Sequence, residues 1–117
     1  MPMSSARKQD ASAVRIVLST APDEGEALRL ARTLVEGGLA ACVNLVPGVT
    51  SVYRWEGAVE EASEVLMVVK TSAARLGDVE GFLEREHPYD VPECVALEPE
   101  AVSPAYLAWL LESGHPG

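Results

Sequence analysis

The order of apolar and polar positions near the start of the chain predicts a strand followed by a helix. The segment Val14–Thr20, VRIVLST, is short and rich in β-branched residues, as buried strands are. A proline and three acidic residues follow it in APDEGE, which is typical of the start of a helix. We therefore expect a helix from about Asp23 to Glu36, ended by two glycines. Its apolar residues recur at helical spacing: Ala27, Leu30, Ala31 and Leu34.

The long apolar segment after this helix predicts a hairpin. Residues 40–55 are typical of a single strand, bent where a Pro-Gly pair at 47–48 interrupts it. A turn is expected at Glu56 and Gly57, and the returning strand at Glu64–Thr71, EVLMVVKT. The intervening EGAVEEAS is expected to form the tip of the hairpin.

The rest of the pattern adds a helix, a strand and a terminal helix. Ser72 is expected to cap a second helix that ends before His87. The inner face of this helix carries four apolar residues: Leu76, Val79, Phe82 and Leu83. A strand is expected at 93–99, ECVALEP, and Ser103 before a proline marks the start of a short last helix. The order βαββαβ plus a terminal helix predicts an α+β, ferredoxin-like fold with an antiparallel sheet and two helices on one face.

Two of these strands carry more apolar residues than a sheet covered on one face would need. VRIVL and VLMVV show no alternation, which indicates burial on both sheet faces, whereas the two helices cover one. Alternation along the hairpin arm also places Ser51, Tyr53 and Trp55 on one side, where both rings would be exposed in a monomer. These observations favour a closed homo-oligomer. The alternative is that the arm folds back on its own sheet.

Length and charge narrow the class of protein. The chain has 117 residues, enough for one domain, and its 18 acidic and 9 basic residues give a formal net charge of −9. That charge disfavours nucleic acid and anionic membranes as partners, and no apolar run is long enough to span a membrane. We expect a disordered leader at 1–13, a folded domain at 14–113 and a frayed tail at 114–117.

The cysteines and the first residues indicate the compartment. Cys42 and Cys94 lie far apart and form no CxxC pair, which favours a reducing environment, with a single bridge between them as the alternative. The leader has no apolar h-region of the kind that signal peptides carry. We therefore expect a cytoplasmic protein.

The motifs of common enzyme classes are absent from the sequence. It contains no phosphate-binding glycine loop, HExxH helix, GxSxG elbow or paired zinc-binding cysteines. Glu60 and Glu61 are neighbours in the hairpin, whose side chains point to opposite faces, so we interpret them as solvated. Glu64 and Lys70 share the parity of one strand, and we interpret them as ion-paired with another chain or solvated at its rim. We expect a protein that is not an enzyme.

Soft or borderline metal ligands are few in the folded region. They are Cys42, Cys94 and His87, and thiolate with imidazole suits copper or zinc better than calcium or magnesium. The simpler interpretation of each cysteine is a small buried hydrophobe. His87 closes a helix before a proline, so it is either a helix stop or a ligand. It also opens HPYDVPE, a stiff polar connector that brings Tyr89 and Glu93 to a sheet end, where ligands often bind.

Several of these segments together resemble the CutA divalent-cation-tolerance family. The shared motifs are AACVNLVPGVTSVYRWEG, EVLMVVKT, HPYDVPE and the YLAW at 106–109, and the resemblance covers about 14–113. It implies a ferredoxin-like subunit in a homotrimer with interlocking hairpins, similar in architecture to the trimeric PII signalling proteins. It also implies a role in tolerance to copper and other divalent ions.

Specific residues take roles from this resemblance. The motif cysteine is Cys42 and the motif histidine is His87, which are the implied ligands of copper or another divalent cation. One chain offers too few ligands, so a neighbouring subunit would complete the site. A larger set is expected at intersubunit surfaces or clefts: Tyr53, Trp55, Glu64, Lys70, Tyr89, Glu93, Tyr106 and Trp109. The alternative function is a PII-like sensor or scaffold that binds a small ligand in intersubunit clefts.

Overall fold

The computed structural model describes residues 11–113 and has the predicted α+β architecture. Its strands are β1 (Val14–Ala21), β2 (Cys42–Trp55), β3 (Ala58–Ser72) and β4 (Val95–Leu97). Its helices are α1 (Glu24–Glu36), α2 (Leu76–Glu86), which follows a 3-10 turn at Ala73–Arg75, and α3 (Pro104–Ser113). The four strands pair antiparallel in the order β2-β3-β1-β4. This order is that of a ferredoxin-like fold, which confirms the prediction.

The described residues begin just before β1. Ala11 is buried, and the carbonyl of Ala13 accepts a hydrogen bond of 2.7 Å from the amide of Ala73. Packed structure therefore reaches into the last three residues of the segment expected as a leader. The disorder expected for residues 1–10 and the frayed tail expected at 114–117 lie outside the described residues.

Side-chain caps determine where the first two helical segments begin. The carboxylate of Asp23 accepts a hydrogen bond of 2.8 Å from the amide of Glu26, as an N-cap of α1 does. The hydroxyl of Ser72 accepts one of 3.2 Å from the amide of Arg75, so Ser72 caps the 3-10 turn and α2 continues from it. Helix α2 ends at Glu86, and its C-cap residue His87 has an extended backbone, with φ of −73° and ψ of 140°, because a proline follows.

The hairpin of β2 and β3 is longer than the sequence indicated. Glu56 and Gly57 form its turn, both with positive φ, 50° and 83°. Two such residues reverse the chain at once, so pairing resumes directly after them. The prediction of a tip made of EGAVEEAS is therefore wrong beyond its first two residues. The predicted bend is confirmed as a register shift between Val46 and Val49.

Strand β4 is shorter than predicted. It pairs only with β1, through the register from Ile16 opposite Leu97 to Leu18 opposite Val95. The prolines at 92 and 99 lack the amide hydrogen that ladder pairing needs, which explains why the expected strand at 93–99 is reduced to its centre. The sheet therefore has a short edge on this side.

Helices α1 and α2 close one face of the sheet, which we call the covered face. Alternate residues of β1 and β3 point into it, because side chains alternate along a strand. The core between sheet and helices includes side chains that are 0% exposed: Val17, Met67, Val69, Leu30, Leu34 and Leu83. This face is complete within one chain.

The intervening residues of the same strands lie on the opposite face, which we call the open face. In a single chain they are half-buried or exposed: Ile16, Leu18, Val46, Leu66, Val68, Val95 and Leu97. Helix α3 covers one end of this face, where Leu107 and Leu110 pack against Val14 and Ala41. The remaining apolar surface has no cover within the described residues.

Candidate functional site

A cleft of about 760 Å³ lies between the hairpin arm and the connector that follows α2. Five residues that were predicted at intersubunit surfaces line it: Tyr53, Trp55, Glu64, Tyr89 and Glu93. Asp90 of the connector also contributes to its wall. The polar connector HPYDVPE and the aromatic side of the arm, which are far apart in sequence, thus form one cavity.

The register of the hairpin explains the aromatic wall. Tyr53 lies opposite Glu60, and Trp55 lies opposite Ala58, so both rings share one side of the arm. This confirms the prediction that Ser51, Tyr53 and Trp55 lie on one side of the arm. The side chains of Tyr53 and Trp55 are 43% and 50% exposed, so one chain leaves both rings accessible.

Glu64 is the most buried acidic residue in the wall of the cleft. Only 9% of it is exposed, and its Oε2 accepts a hydrogen bond of 2.6 Å from the Tyr89 hydroxyl. Burial acts to raise the pKa of Glu64, but hydrogen bonds from Ser51, Tyr89 and Thr20 outweigh it and hold that pKa below its usual value. The carboxylate therefore stays charged at neutral pH.

Tyr89 is the donor in this pair. Burial, and then its hydrogen bond to the Glu64 carboxylate, raise the pKa of the Tyr89 phenol. The phenol keeps its proton, and the short bond persists across the neutral range. Among the residues that the structure describes, the hydrogen-bond partners of Glu64 are hydroxyl groups, and none is the lysine or arginine that an ion pair would require.

His87 holds the connector in place. Its Nε2 lies 2.8 Å from the carbonyl oxygen of Thr20, and its Nδ1 lies 3.0 Å from the amide of Tyr89. A carbonyl oxygen can only accept and an amide can only donate, so this geometry assigns the neutral ring with the proton on Nε2. The ring, which is 7% exposed, therefore has both nitrogens engaged. A metal ion would have to displace one of these bonds.

Cys42 lies at the other end of the open face. It is directly opposite Lys70, whose Nζ is 5.7 Å from the centre of the Tyr106 ring. The rings of Tyr106 and Trp109 are 5.5 Å apart on α3. This group, Cys42 with Lys70, Tyr106 and Trp109, gathers the other residues that were predicted at interfaces or as ligands.

The two implied metal ligands do not meet within one chain. His87 contacts Thr20, whereas Cys42 and Lys70 are level with Ile16, four residues earlier on β1, which is roughly 13 Å along a strand. Among the residues that the structure describes, no group of three or more His, Cys, Asp and Glu side chains could hold a metal ion. One described chain therefore does not form a complete metal site.

Cys94 differs from Cys42 in its surroundings. It packs against the main core, and burial raises the pKa of its thiol, with further contributions from Glu80, Glu84 and Glu93. The thiolate is the form that binds metals, so this environment disfavours Cys94 as a ligand. The structural interpretation made from the sequence fits Cys94.

Three polar residues of the cleft, Thr20, Ser51 and Asp90, were not among the residues predicted for it. Thr20 supplies both the carbonyl for His87 and a hydrogen bond to Glu64, and Ser51 supplies another to Glu64. Ser51 carried a signal, since it shares the side of the two aromatic rings. Asp90 carried one too, because it lies inside the connector. Thr20 carried none, because only the pairing of β1 with β3 brings it to Glu64.

Comparison with known proteins establishes the family. The CutA1 divalent ion tolerance protein family matches residues 15–113. This chain belongs to that family. A divalent-cation tolerance protein CutA of Thermus thermophilus is 47% identical over 98 residues, 84% of this chain and 95% of that protein.

Other relatives of this CutA1 chain extend the comparison. Protein CutA of Mus musculus is 47% identical over 91 residues, and the chain spans about half of that longer relative, 51%, with 78% of its own length. The solved structure of the divalent cation tolerance protein from Thermus thermophilus has a TM-score of 0.83 at 46% identity, covering 86% of this chain and 97% of that one. The names of these relatives describe no catalysed reaction, in agreement with the prediction that this CutA1 chain is not an enzyme.

The helices of the described CutA1 domain are short. None of them, within residues 11–113, has the length and apolar character needed to cross a membrane.

Proposed function

We propose that this CutA1 chain acts in divalent-cation tolerance as a homotrimer that binds copper or a similar ion at a site shared between subunits. The observation that supports it most is the open face of the sheet. That face carries an apolar row across all four strands, and one chain leaves Val46, Val95 and Leu97 at 44%, 47% and 47% exposed. Apolar surface of this kind is typically buried in an assembly.

The shape of the chain supports a closed assembly. Its extents are 55 × 29 × 23 Å, and the hairpin is built from its two longest strands. The exposed rings of Tyr53 and Trp55 lie toward the turn of that hairpin, where a neighbouring copy could bury them. A closed ring buries both the open face and the arm of every copy. The number three comes from the resemblance to the CutA and PII families.

The proposed metal contact is Cys42. It lies on the open face, so a neighbouring copy can supply the ligands that one chain lacks. A half-buried thiol binds Cu(I) better than it binds harder cations, because soft ligands select soft metals. His87 was the other implied ligand, and the structure engages both of its nitrogens within the chain, so we assign it second place.

Two measurements on the full chain test this proposal. Sedimentation at micromolar concentration should give one trimeric species, and a stable monomer would refute the assembly. Titration with Cu(I), Cu(II) and Zn(II) should show saturable binding that Cys42→Ser abolishes. Cys94→Ser is the matched control and should bind as the unchanged chain does. Equal binding by Cys42→Ser and the control would refute the assignment of Cys42, and His87→Ala tests the second ligand in the same way.

The cleft favours a second candidate function, a PII-like sensor that binds a small molecule. A cavity of about 760 Å³ with aromatic walls and several polar groups is typical of ligand sites. It lies at the opposite end of the open face from Cys42, so the two functions do not exclude each other. We also propose a cytoplasmic location, which fits two cysteines, Cys42 and Cys94, that form no disulfide with each other.

A further inference from the structure

We propose that the cleft between the hairpin arm and the connector binds an organic cation, namely a small molecule that carries ammonium groups on an apolar body. This rests on the second candidate function, ligand sensing, and names the chemical class of the ligand. It does not depend on the metal site at Cys42. Four properties of the cleft support it: its charge, the buried and ionised carboxylate of Glu64, its aromatic walls and the spacing of its carboxylates.

The charge of the lining has one sign. Glu64, Asp90 and Glu93 line the cleft, and its described lining residues include no lysine, arginine or histidine. The chain as a whole carries a formal charge of −9, which adds to the local field. Such a cavity repels carboxylates and phosphates and concentrates cations. The lining that one chain supplies therefore favours cationic or neutral ligands.

Glu64 provides a preformed anchor for a cation. Its carboxylate is nearly buried, keeps its charge and is oriented by the Tyr89 hydroxyl at 2.6 Å. An ionised carboxylate offers about four acceptor positions, and the Tyr89 hydroxyl occupies one of them at 2.6 Å. An ammonium group can supply a further, charge-assisted hydrogen bond to this carboxylate.

The aromatic walls select the same class of ligand. In one chain Tyr53 and Trp55 line the cleft with half-exposed rings and Tyr89 borders Glu64, and in the proposed trimer a neighbouring copy would close the outer side of this cleft. The faces of such rings attract cations, with tryptophan the strongest. They also bury methylene groups, which a hydrated metal ion does not offer. A cation with an apolar body therefore uses both the rings and the carboxylates.

The spacing of the carboxylates disfavours a metal ion as the occupant. Glu64, Asp90 and Glu93 do not form a group that could hold a metal, since no such group of three exists among the described residues. They surround a cavity of about 760 Å³, within the range that small organic ligands occupy. An elongated molecule with two ammonium groups reaches separated carboxylates that one ion cannot bridge.

Fluorescence titration of the full chain tests this inference. The Trp109→Phe background leaves Trp55, in the wall of the cleft, as the single tryptophan reporter. The probe is putrescine, and butanediol and succinate are matched molecules with the same four-carbon chain, neutral and anionic. All titrations are made at constant ionic strength, because exposed charges are screened by salt. Of the three molecules, only putrescine should change the Trp55 fluorescence in a saturable way, by quenching or by enhancement.

Variants locate the binding. Glu64→Gln should weaken putrescine binding at least about tenfold, as the loss of a charged hydrogen bond does. Asp90→Asn, on the exposed connector, should weaken it several-fold and keeps the inference testable if Glu64→Gln fails to fold. Glu61→Gln, which lies opposite Val52 on the other side of the arm, is the matched control and should bind unchanged.

Three results would overturn the proposal. They are no saturable response to putrescine, an equal response to butanediol, or unchanged binding by both Glu64→Gln and Asp90→Asn. Saturation by succinate in place of putrescine would refute the organic cation while leaving the ligand-sensing function standing. The copper titration is scored by Cys42→Ser and the putrescine titration by Glu64→Gln and Asp90→Asn, so failure of the metal proposal does not alter any of these outcomes.

Discussion

The two faces of the sheet are built from the same strands, but the chain buries one face and leaves much of the other exposed. On the covered face Val17, Met67 and Val69 are fully buried by helices of the same chain. On the open face their immediate neighbours, such as Leu66 and Val68, are only half-buried. Because side chains alternate along a strand, a run without polar alternation supplies apolar residues to both faces. The covered face therefore stabilises the chain, and the open face is available for association.

The largest effect is expected where the covered face is broken. Met67→Ala should lower the free energy of unfolding by about 2–5 kcal/mol, because it leaves a cavity in a core that is 0% exposed at this position. Urea unfolding measures this as a lower midpoint. Leu66→Ala, one residue away on the open face, is the matched control and should mainly weaken association. If both variants lost the same free energy of unfolding when measured as dissociated chains, the proposed difference between the two faces would be contradicted.

A smaller effect is expected at the arm, on the association side of the comparison. Trp55→Ala should weaken formation of the proposed trimer by about 2 kcal/mol or more, as truncation of an aromatic residue at an interface commonly does. Sedimentation equilibrium over a range of concentrations measures it. Val52→Ala changes a 65% exposed residue on the other side of the arm and serves as control. If Trp55→Ala associates as strongly as the control, the arm does not contribute to the trimer.

The polar end of the open face should respond to loss of one hydroxyl. Tyr89→Phe removes the 2.6 Å hydrogen bond to Glu64 and should cost about 1.5 kcal/mol of unfolding free energy, since the acceptor is charged. Chemical denaturation measures the change. Tyr53→Phe alters a ring in the same cleft and is the control. Identical stabilities of the two variants would show that the bond to Glu64 contributes nothing.

One polar atom interrupts the covered face and allows a test in the opposite direction. The hydroxyl of Ser19 is fully buried and has no hydrogen-bond partner among the described residues. Ser19→Ala should raise the free energy of unfolding by about 1 kcal/mol, because it removes an unsatisfied group. Thermal unfolding of Ser19→Ala beside Ser63→Ala, an exposed serine of β3, checks this. A lower stability of Ser19→Ala would show that the hydroxyl is satisfied in solution.

The most gradual effect is expected on the pH dependence of stability. The pKa of Glu64 is lower in the folded chain than its usual value, so its contribution is present above the unfolded pKa and is lost as pH falls through the folded pKa. The stability difference between the unchanged chain and Glu64→Gln should therefore shrink below about pH 4.5. Unfolding curves at several pH values measure it, with Glu61→Gln as control. A difference that is constant with pH would be contrary to this assignment.

The local features of the fold could be predicted because they depend on neighbouring residues. Asp23 caps α1 as expected, and His87 ends α2 because a proline follows. The hairpin tip was mispredicted for the same reason, since polar composition suggested a loop at Glu60 and Glu61. Two residues with positive φ at 56–57 suffice for the turn, and pairing with β2 then overrides the composition.

The candidate site could be predicted only in part. The sequence marked Tyr53, Trp55 and Tyr89 as a group of surface aromatic residues, and the cleft brings them together. It also joined Cys42 with His87, because both carry soft ligand atoms. The strand register separates that pair within the chain. Spacing in sequence contains no information on which end of a strand a distant residue reaches.

Local patterns along the chain were enough to establish the order of elements, the caps of the helices and the excess of apolar residues on two strands. Which of those residues meet depends on the folded chain. The bond from Tyr89 to Glu64 spans 25 residues, and the contact of His87 with Thr20 spans 67. Both depend on how β1, β3 and the connector align across the sheet. That alignment follows from the pairing of β1 with β3 and from burial of the core of the covered face, which involve residues from the whole chain and are not contained in any short segment.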